Sequence, residues 1–310
     1  MPYSQLMTFG SLTPEQACQA LREAGLELSP ADIRLEARED RWLVWLSAGR
    51  AAWFPATMRG RERLGIDRKV LRLLAERCTF PVPHILFEAS SGFDVRALVP
   101  GACDPWPLYR RVIADHALAR SLGAAVGRML VEQHTRIVAS DVAGWLPRRV
   151  AWPMPGDWIR ERLPGVVDDQ GLLAELCDVI RLYENVAVDP PDRVLVHADL
   201  GLHNLAVDDR TDALAGVFDY DEAAWADRHH DFRYLVFDAE PSDMLEAALG
   251  VYEPKVGRSI DRARVRLYNA ACAISFLALR RGLPAQDRSA GRTLEEDMRW
   301  VRHALALVAS

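Results

Sequence analysis

Lysine is almost absent from this chain: Lys69 and Lys255 are the only two among 38 basic side chains, the rest being arginine. Any chemistry that depends on a lysine therefore has two candidates. The ratio by itself points to no function, since a GC-rich coding bias is sufficient to produce it together with the high alanine content. Cysteine is sparse as well. Cys18, Cys78, Cys103, Cys177 and Cys272 are scattered, with no CxxC and no histidine at zinc spacing, which argues against a zinc ribbon or a disulfide scaffold. They are expected to be reduced, mostly buried thiols in a cytoplasmic protein. No apolar run approaches the ~18 residues of a membrane span, and the opening MPYSQLMTFGSLTPEQ lacks the basic region and apolar stretch of a secretory leader. A basic tract is missing too. With a net charge of −6, a nucleic-acid partner is not expected and a cationic ligand is conceivable.

What the chain does have is apolar mass. Its 310 residues are 50% hydrophobic, enough for a core and for two lobes. Residues 13–24 read as a helix, with Thr13 and Gln16 at capping-box spacing and Pro14 in the first turn. Three short β-type runs, IRLEAR (33–38), RWLVWL (41–46) and RAAWFP (50–55), come next as an antiparallel meander around Glu39-Asp40 and Ala48-Gly49. Residues 64–76 carry helical spacing, and 80–89 and 93–101 read as two more strands that end at Pro100-Gly101. Beyond that point long helical patterns cover 108–138 and 170–187. Strand-like runs at 193–198 and 214–220 succeed them, and the remainder from Asp231 is helical with polar breaks. The expected organisation is α+β: a small antiparallel-sheet lobe over residues 1–99 and a mainly helical lobe over residues 100–310.

The most informative stretch is VLVHADLGLHNLAVDD, Val194–Asp209. A strand-like run here ends in His197, Asp199, His203 and Asn204, and clustered polar groups must find partners or stay wet. The run GVFDYDEAAWADRHHD, read as a hairpin-like partner, delivers Asp219 at the end of a second strand. Asp199, Asn204 and Asp219 bring two carboxylates and an amide, oxygen ligands that suit a hard cation such as Mg²⁺ in phosphoryl transfer. Asp199 is placed to receive the proton of an acceptor hydroxyl. His203, His229 and His230 imply no metal geometry and are read as surface or brace histidines.

These residues resemble the antibiotic phosphotransferase family, the aminoglycoside and macrolide kinases that share the protein-kinase fold. The family pattern His-x-Asp-x-x-x-x-Asn, then Asp, then Asp-x-x-x-Asp, is matched by His197, Asp199 and Asn204, then Asp219, then Asp227 and Asp231. FPVPHIL, LVPG and LGAAVGRMLVEQH are weaker echoes. The resemblance implies a two-lobed kinase-like fold, with ATP (or GTP) and Mg²⁺ as cofactors. It implies Asp199 as the catalytic aspartate, Asn204 and Asp219 as Mg²⁺ ligands, and His197 as a brace for the loop. Asp227 and Asp231 would bond backbone amides and cap the adjoining downstream segment. Residues 1–99 would be the nucleotide-binding lobe, with Arg50, Trp53, Asp67, Ala97 and Val99 toward the nucleotide, and residues 100–310 the catalytic and substrate-binding lobe.

The chain departs from the pattern at one place. Kinases of this fold clamp phosphates with a basic residue on the third strand, paired to a carboxylate on the next helix. Here RAAWFPA carries Trp53 at that position, and Trp53 reads more readily as apolar bulk than as an adenine platform. Asp67 stands for the helical carboxylate, and Lys69 lies on another face of the same helix. The clamp is missing, displaced, or taken over by Arg50, Arg59, Arg61 or Arg63; Arg50 is the expected substitute, because it starts the strand and stays charged. The leading reading is a small-molecule O-kinase. The alternative is a pseudokinase that binds nucleotide or ligand without efficient turnover, favoured by the missing lysine and opposed by the intact Asp199, Asn204 and Asp219. An acidic lip of Asp157, Asp168, Asp169, Asp238, Glu240 and Asp243 would favour a cationic hydroxyl substrate; plain solvation explains the same residues.

Overall fold

The computed structural model describes residues 11–236 and 242–309. They divide into two compact units, one formed by the described residues up to Pro105 with His203–Ala223, the other by Trp106–Leu202 with the described residues from Ala224 onward.

The first unit is built on a five-stranded antiparallel sheet. Helix α1 (Pro14–Leu21) begins with the expected capping box: Gln16 N donates to Thr13 Oγ1, and Thr13 N donates to Gln16 Oε1 at 2.9 Å. Strands β1 (Arg34–Ala37), β2 (Arg41–Leu46) and β3 (Arg50–Pro55) form the meander, and β4 (His84–Glu88) and β5 (Asp94–Ala97) complete the order β1-β2-β3-β5-β4. Side chains alternate between the two faces of a strand. Register aligns Val44, Ala52 and Val95 across three strands, and they join Leu46, Phe54, Phe93 and the α1 residues Ala17 and Leu21 in one apolar cluster. The opposite face carries Trp53 and Asp94 in one row and Ala51 and Arg96 in the next. Between β3 and β4 runs α2 (Met58–Arg77), capped by Thr57, whose Oγ1 accepts from Gly60 N at 2.9 Å. The apolar pattern places this helix six residues too late, because MRGRER, its first six residues, holds little apolar side chain to reveal a period.

Later segments fold as two ribbons rather than one hairpin. β6 (Arg193–Val196), in the second unit, does not pair with the 214–220 run. That run supplies β8 (Leu214–Val217), whose partner is β7 (Leu205–Val207), while β6 pairs with β9 (Ala224–Asp227). A three-residue strand followed by Asp-Asp leaves too short a signal for β7 to stand out from a loop.

Helices dominate the second unit. The 108–138 pattern is two helices, α3 (Pro105–Ala114) and α4 (His116–Arg136), separated by Asp115, whose carboxylate caps α4 through Ala117 N and Leu118 N. After them come α5 (Ala139–Val142), α6 (Gly156–Arg162), α7 (Gln170–Glu184), α8 (Asp243–Val256), α9 (Arg262–Leu279) and α10 (Leu294–Ala309). α4 and α8 touch backbone to backbone. A Cβ on Gly123 would lie 2.2 Å from Met244 O, and one on Gly127 2.4 Å from Ala248 O, so both positions require glycine. α9 is buried nearly all round through Ala270–Ser275 and forms the core with Ile159, Leu176, Ile180, Val301 and Leu305. Among the described residues no helix is long and apolar enough to cross a membrane. All five cysteines are free, but only Cys18 and Cys272 are buried; Cys103 is exposed and Cys78 and Cys177 are half-buried. The expectation of mostly buried thiols is corrected accordingly.

Candidate active site

In the second unit the chain leaves β6 through a strained residue. Ala198 has φ +68°, a left-handed backbone that costs a non-glycine residue about 1–2 kcal/mol. Asp231 supplies the compensation. Its carboxylate accepts His197 N at 3.0 Å, Ala198 N at 2.9 Å, Gln133 Nε2 at 3.0 Å and His134 Nε2 at 3.0 Å. Arg233 donates to the Ala198 carbonyl, and also to Trp152 O and His230 Nδ1. Burial alone would raise the Asp231 carboxyl, yet these donors, His134 foremost, hold it below the ordinary carboxylate range. The next residue is Asp199, half-exposed, whose N–H points at Nδ1 of the fully buried His197 at 3.3 Å. His197 is thus an acceptor on that nitrogen, beneath the Asp199 backbone.

Asp227 caps the 3-10 stretch Arg228–Leu235. It accepts His229 N at 3.1 Å, His229 Nδ1 at 2.5 Å and Tyr268 OH at 2.6 Å, with Arg264 at 3.3 Å. Against its burial, the bonds from His229 and Tyr268 keep its carboxyl below the usual range. His229 is itself placed by Asp261 N, which donates to its Nε2. His230 stacks on Tyr268 at 4.3 Å between ring centroids, and burial together with Arg233 pushes its pKa down to about 3.

That depression has a consequence for stability against pH. A histidine near 6.5 when unfolded and about 3 when folded excludes a proton from the folded state. Its contribution is complete above about pH 6.5 and is lost as pH falls from there, at up to about 1.4 kcal/mol per pH unit. His134, also depressed by burial, acts in the same direction. Urea unfolding midpoints are therefore expected to fall between about pH 7 and pH 4, and His230→Phe, which keeps a ring on Tyr268, should flatten that fall. Equal slopes in wild type and variant would show that His230 is not held neutral.

In the first unit the counterpart is Asp219, two residues past β8, at φ +68° and ψ +57°. Phe218 N donates to Asn204 O at 3.1 Å, and Tyr220 N donates to Asp67 Oδ1 at 3.0 Å, so the backbone is held on both sides of Asp219. Around it lies a charged network. Arg41 Nη1 stands 3.6 Å from Asp219, and Arg41 also pairs with Asp221 and Asp40. Arg63 joins Asp40, Asp221 and Glu222 at 2.7–2.9 Å. Four carboxylates thus face two guanidiniums, with Arg59 at the margin 4.0 Å from Glu222. The side chain of Asp219 is 44% exposed whereas that of Asp221 is 2% exposed, so Asp219 is the member a ligand can reach.

The residues expected to face a nucleotide are spread over several roles. Val99 is buried and sits against Gly216, where an added Cβ would lie 2.5 Å from Val99 Cγ1. Ala97 pairs with Arg50 and His84 across the sheet. Arg50 is half-buried and turned to its own hairpin, with Nε on Ser47 O at 3.2 Å. Asp67 is buried and bonds neither Arg50 nor Lys69, which is exposed, but Arg96 of β5. Trp53 lies under that same guanidinium, its ring centroid 4.5 Å from Arg96 Cζ.

Sequence reasoning missed Arg41, Arg96, Gln133, His134 and Arg233. For Arg96 a signal existed: Asp94 and Arg96 are two charges at i and i+2 on one face of an otherwise apolar strand. Of the acidic lip, Asp157 pairs with Arg160 at 2.7 Å, Asp169 caps α7, and Asp243 pairs with His116 at 2.5 Å; Asp168 is exposed. Asp238 and Glu240 lie outside the described residues. The three paired residues are accounted for without a substrate.

Known proteins share the fold. A family model described as the phosphotransferase enzyme family matches residues 29–268. No curated protein matches. Among solved structures, the GDP complex of the aminoglycoside 2'-phosphotransferase-IIIa F108L mutant is similar at 17% identity, covering 96% of this chain and 96% of that one, with a TM-score of 0.67. The streptomycin–ATP–APH(2")-IIa ternary complex is similar at 15% identity over 88% and 93%, TM-score 0.64. The macrolide 2'-phosphotransferase MphH from Brachybacterium faecium, as apoenzyme, is similar at 18% identity over 95% and 97%, TM-score 0.62. At these identities the structures establish the kinase-like α+β fold.

Proposed function

Since the chain belongs to the phosphotransferase enzyme family, we propose that it moves the γ-phosphoryl group of ATP or GTP, with Mg²⁺, to a hydroxyl of a small molecule. The observation that carries this reading is a contrast in exposure. In both units the surrounding acids, Asp67, Asp221, Asp227 and Asp231, are buried in hydrogen-bonded networks, whereas Asp199 and Asp219 remain half-exposed at the ends of those networks. Structural carboxylates and reactive ones are thereby separated.

Asn204 and Asp219 would hold Mg²⁺. An amide oxygen and a carboxylate are the hard donors that cation takes. Among the described residues no group of three or more His, Cys, Asp or Glu could cage a metal, so phosphate oxygens would complete the shell, as is usual for Mg²⁺ in kinases. The cation would neutralise charge on the phosphates being parted. Asp199 accepts the proton of the attacking hydroxyl, and His197 and Asp231 keep its backbone in place. The excess of carboxylates, Asp40, Asp219, Asp221 and Glu222, over the guanidiniums of Arg41, Arg63 and the marginal Arg59 suits a divalent cation. The similar structures hold GDP, ATP or streptomycin, or act on macrolides by their names, which supports a nucleoside phosphate donor and a natural-product acceptor.

The test is a thermal shift. Millimolar Mg²⁺ with ATP or GTP is expected to raise the melting temperature, since a ligand that binds only the folded state stabilises it by mass action. Asp219→Asn should remove most of that shift. No shift in wild type with either nucleotide would refute the assignment.

A further inference from the structure

Arg96 is 2% exposed, and its guanidinium is spent on protein groups. Nε and Nη2 bind Asp94 as a fork at 2.6 and 3.0 Å, Nη1 binds Asp67, and the plane is covered by Trp53. Asp94 and Asp67 are equally buried, at 0% and 1%. Buried ion pairs of this kind are weak sources of stability, because desolvation offsets the attraction. Something other than net stability calls for an explanation, and the connectivity offers one. Asp67 spends its other oxygen on Tyr220 N, the amide directly after Asp219. A single chain of bonds therefore runs from β5 through Arg96 and α2 to the turn that presents Asp219 in its left-handed conformation.

We propose that Arg96 is the positioning residue for Asp219: by fixing the Asp67 carboxylate it secures the Tyr220 N–H bond and so aims the carboxylate that meets Mg²⁺-nucleotide. The proposal rests on the phosphotransferase reading for its last step only. Arg96 thereby takes over, from β5, the holding of the α2 carboxylate that a third-strand lysine performs in kinases of this fold. Trp53 occupies the third-strand position, and its ring touches the guanidinium. Trp53 and Asp67 both touch the Arg96 guanidinium, so a lysine introduced at 53 is placed to reach Asp67 once position 96 is uncharged. Arg41 and Arg63, the guanidiniums of the network around Asp219, are bound to Asp40, Asp221 and Glu222 rather than to Asp67.

The experiment measures hydrogen exchange at the Tyr220 amide in the full chain, without nucleotide, and Mg²⁺-ATP and Mg²⁺-GTP affinity alongside. Arg96→Met is expected to speed Tyr220 exchange at least roughly tenfold relative to β2 amides, and to weaken nucleotide binding by about tenfold. The double variant Trp53→Lys/Arg96→Met should return Tyr220 exchange to within about threefold of wild type. Unchanged exchange in Arg96→Met, or exchange equally fast in the double variant, overturns the proposal. If Arg96→Met does not fold, Arg96→Lys decides: it faces Asp67 with one cation but cannot fork onto Asp94. Near-native Tyr220 exchange supports the proposal, and exchange about tenfold faster than wild type overturns it, since a cation on Asp67 is then not what secures the Tyr220 bond. Should wild type bind no nucleotide while the exchange results hold, the phosphotransferase reading fails and the positioning role stands.

Discussion

Asp199→Asn is expected to lower phosphoryl transfer by about 10²–10⁴-fold, the range associated with losing a positioned general base, while leaving Mg²⁺-nucleotide affinity within about threefold. The asymmetry comes from where Asp199 stands. Its backbone is set by His197, Ala198 and Asp231 in the second unit, whereas the proposed metal ligands Asn204 and Asp219 are held by the first. Asn keeps the shape and the loop bonds but cannot accept the proton of the acceptor hydroxyl. Kinetics of nucleotide consumption, paired with a direct binding titration, separate the outcomes. Equal loss of turnover and affinity would make Asp199 a metal ligand or a brace instead.

A second large effect is expected at Asp231, for stability. Asp231→Ala leaves His197 N, Ala198 N, Gln133 Nε2 and His134 Nε2 without their common acceptor, all in a fully buried site. Leaving buried partners uncompensated costs about 3–5 kcal/mol, a large share of the roughly 5–15 kcal/mol that holds a domain together. The left-handed Ala198 also loses its anchor. Urea unfolding should show the drop in midpoint. A change under about 1 kcal/mol would mean that water or a relaxed loop replaces the carboxylate, and that Asp231 is not what maintains the strained turn.

The parts of this fold most readable from sequence are those in which one local rule acts alone. Thr13, Pro14 and Gln16 announce α1, and short β-type runs bounded by the turn-like pairs Glu39-Asp40 and Ala48-Gly49 announce β2 and β3 to the residue. Where two rules compete, reading fails. The 108–138 helix is split because Asp115 can cap, a fact the apolar period does not register. β7 is three residues long, so the apolar pattern alone pairs the strand before Asp219 with β6 instead. The motif residues His197, Asp199, Asn204, Asp219, Asp227 and Asp231 are legible because their spacing is fixed along the chain. Their partners are not, since Gln133, His134 and Arg233 reach them from other helices and turns. The cation facing Asp67 illustrates the limit. Proximity in sequence points to Arg50, whereas strand register brings Arg96 next to Trp53's column on the face that α2 covers.

Transfer of a terminal-phosphate label from ATP and GTP to a panel of aminoglycosides, macrolides and simple alcohols, with wild type and Asp199→Asn side by side, tests the central claim most directly. The account predicts label in a phosphorylated hydroxyl product of at least one acceptor class with wild type, and its near absence with Asp199→Asn. Nucleotide bound by wild type with no label leaving it for any acceptor, or the same transfer by both proteins, would contradict the account, and the first of these results would favour a binding protein without turnover.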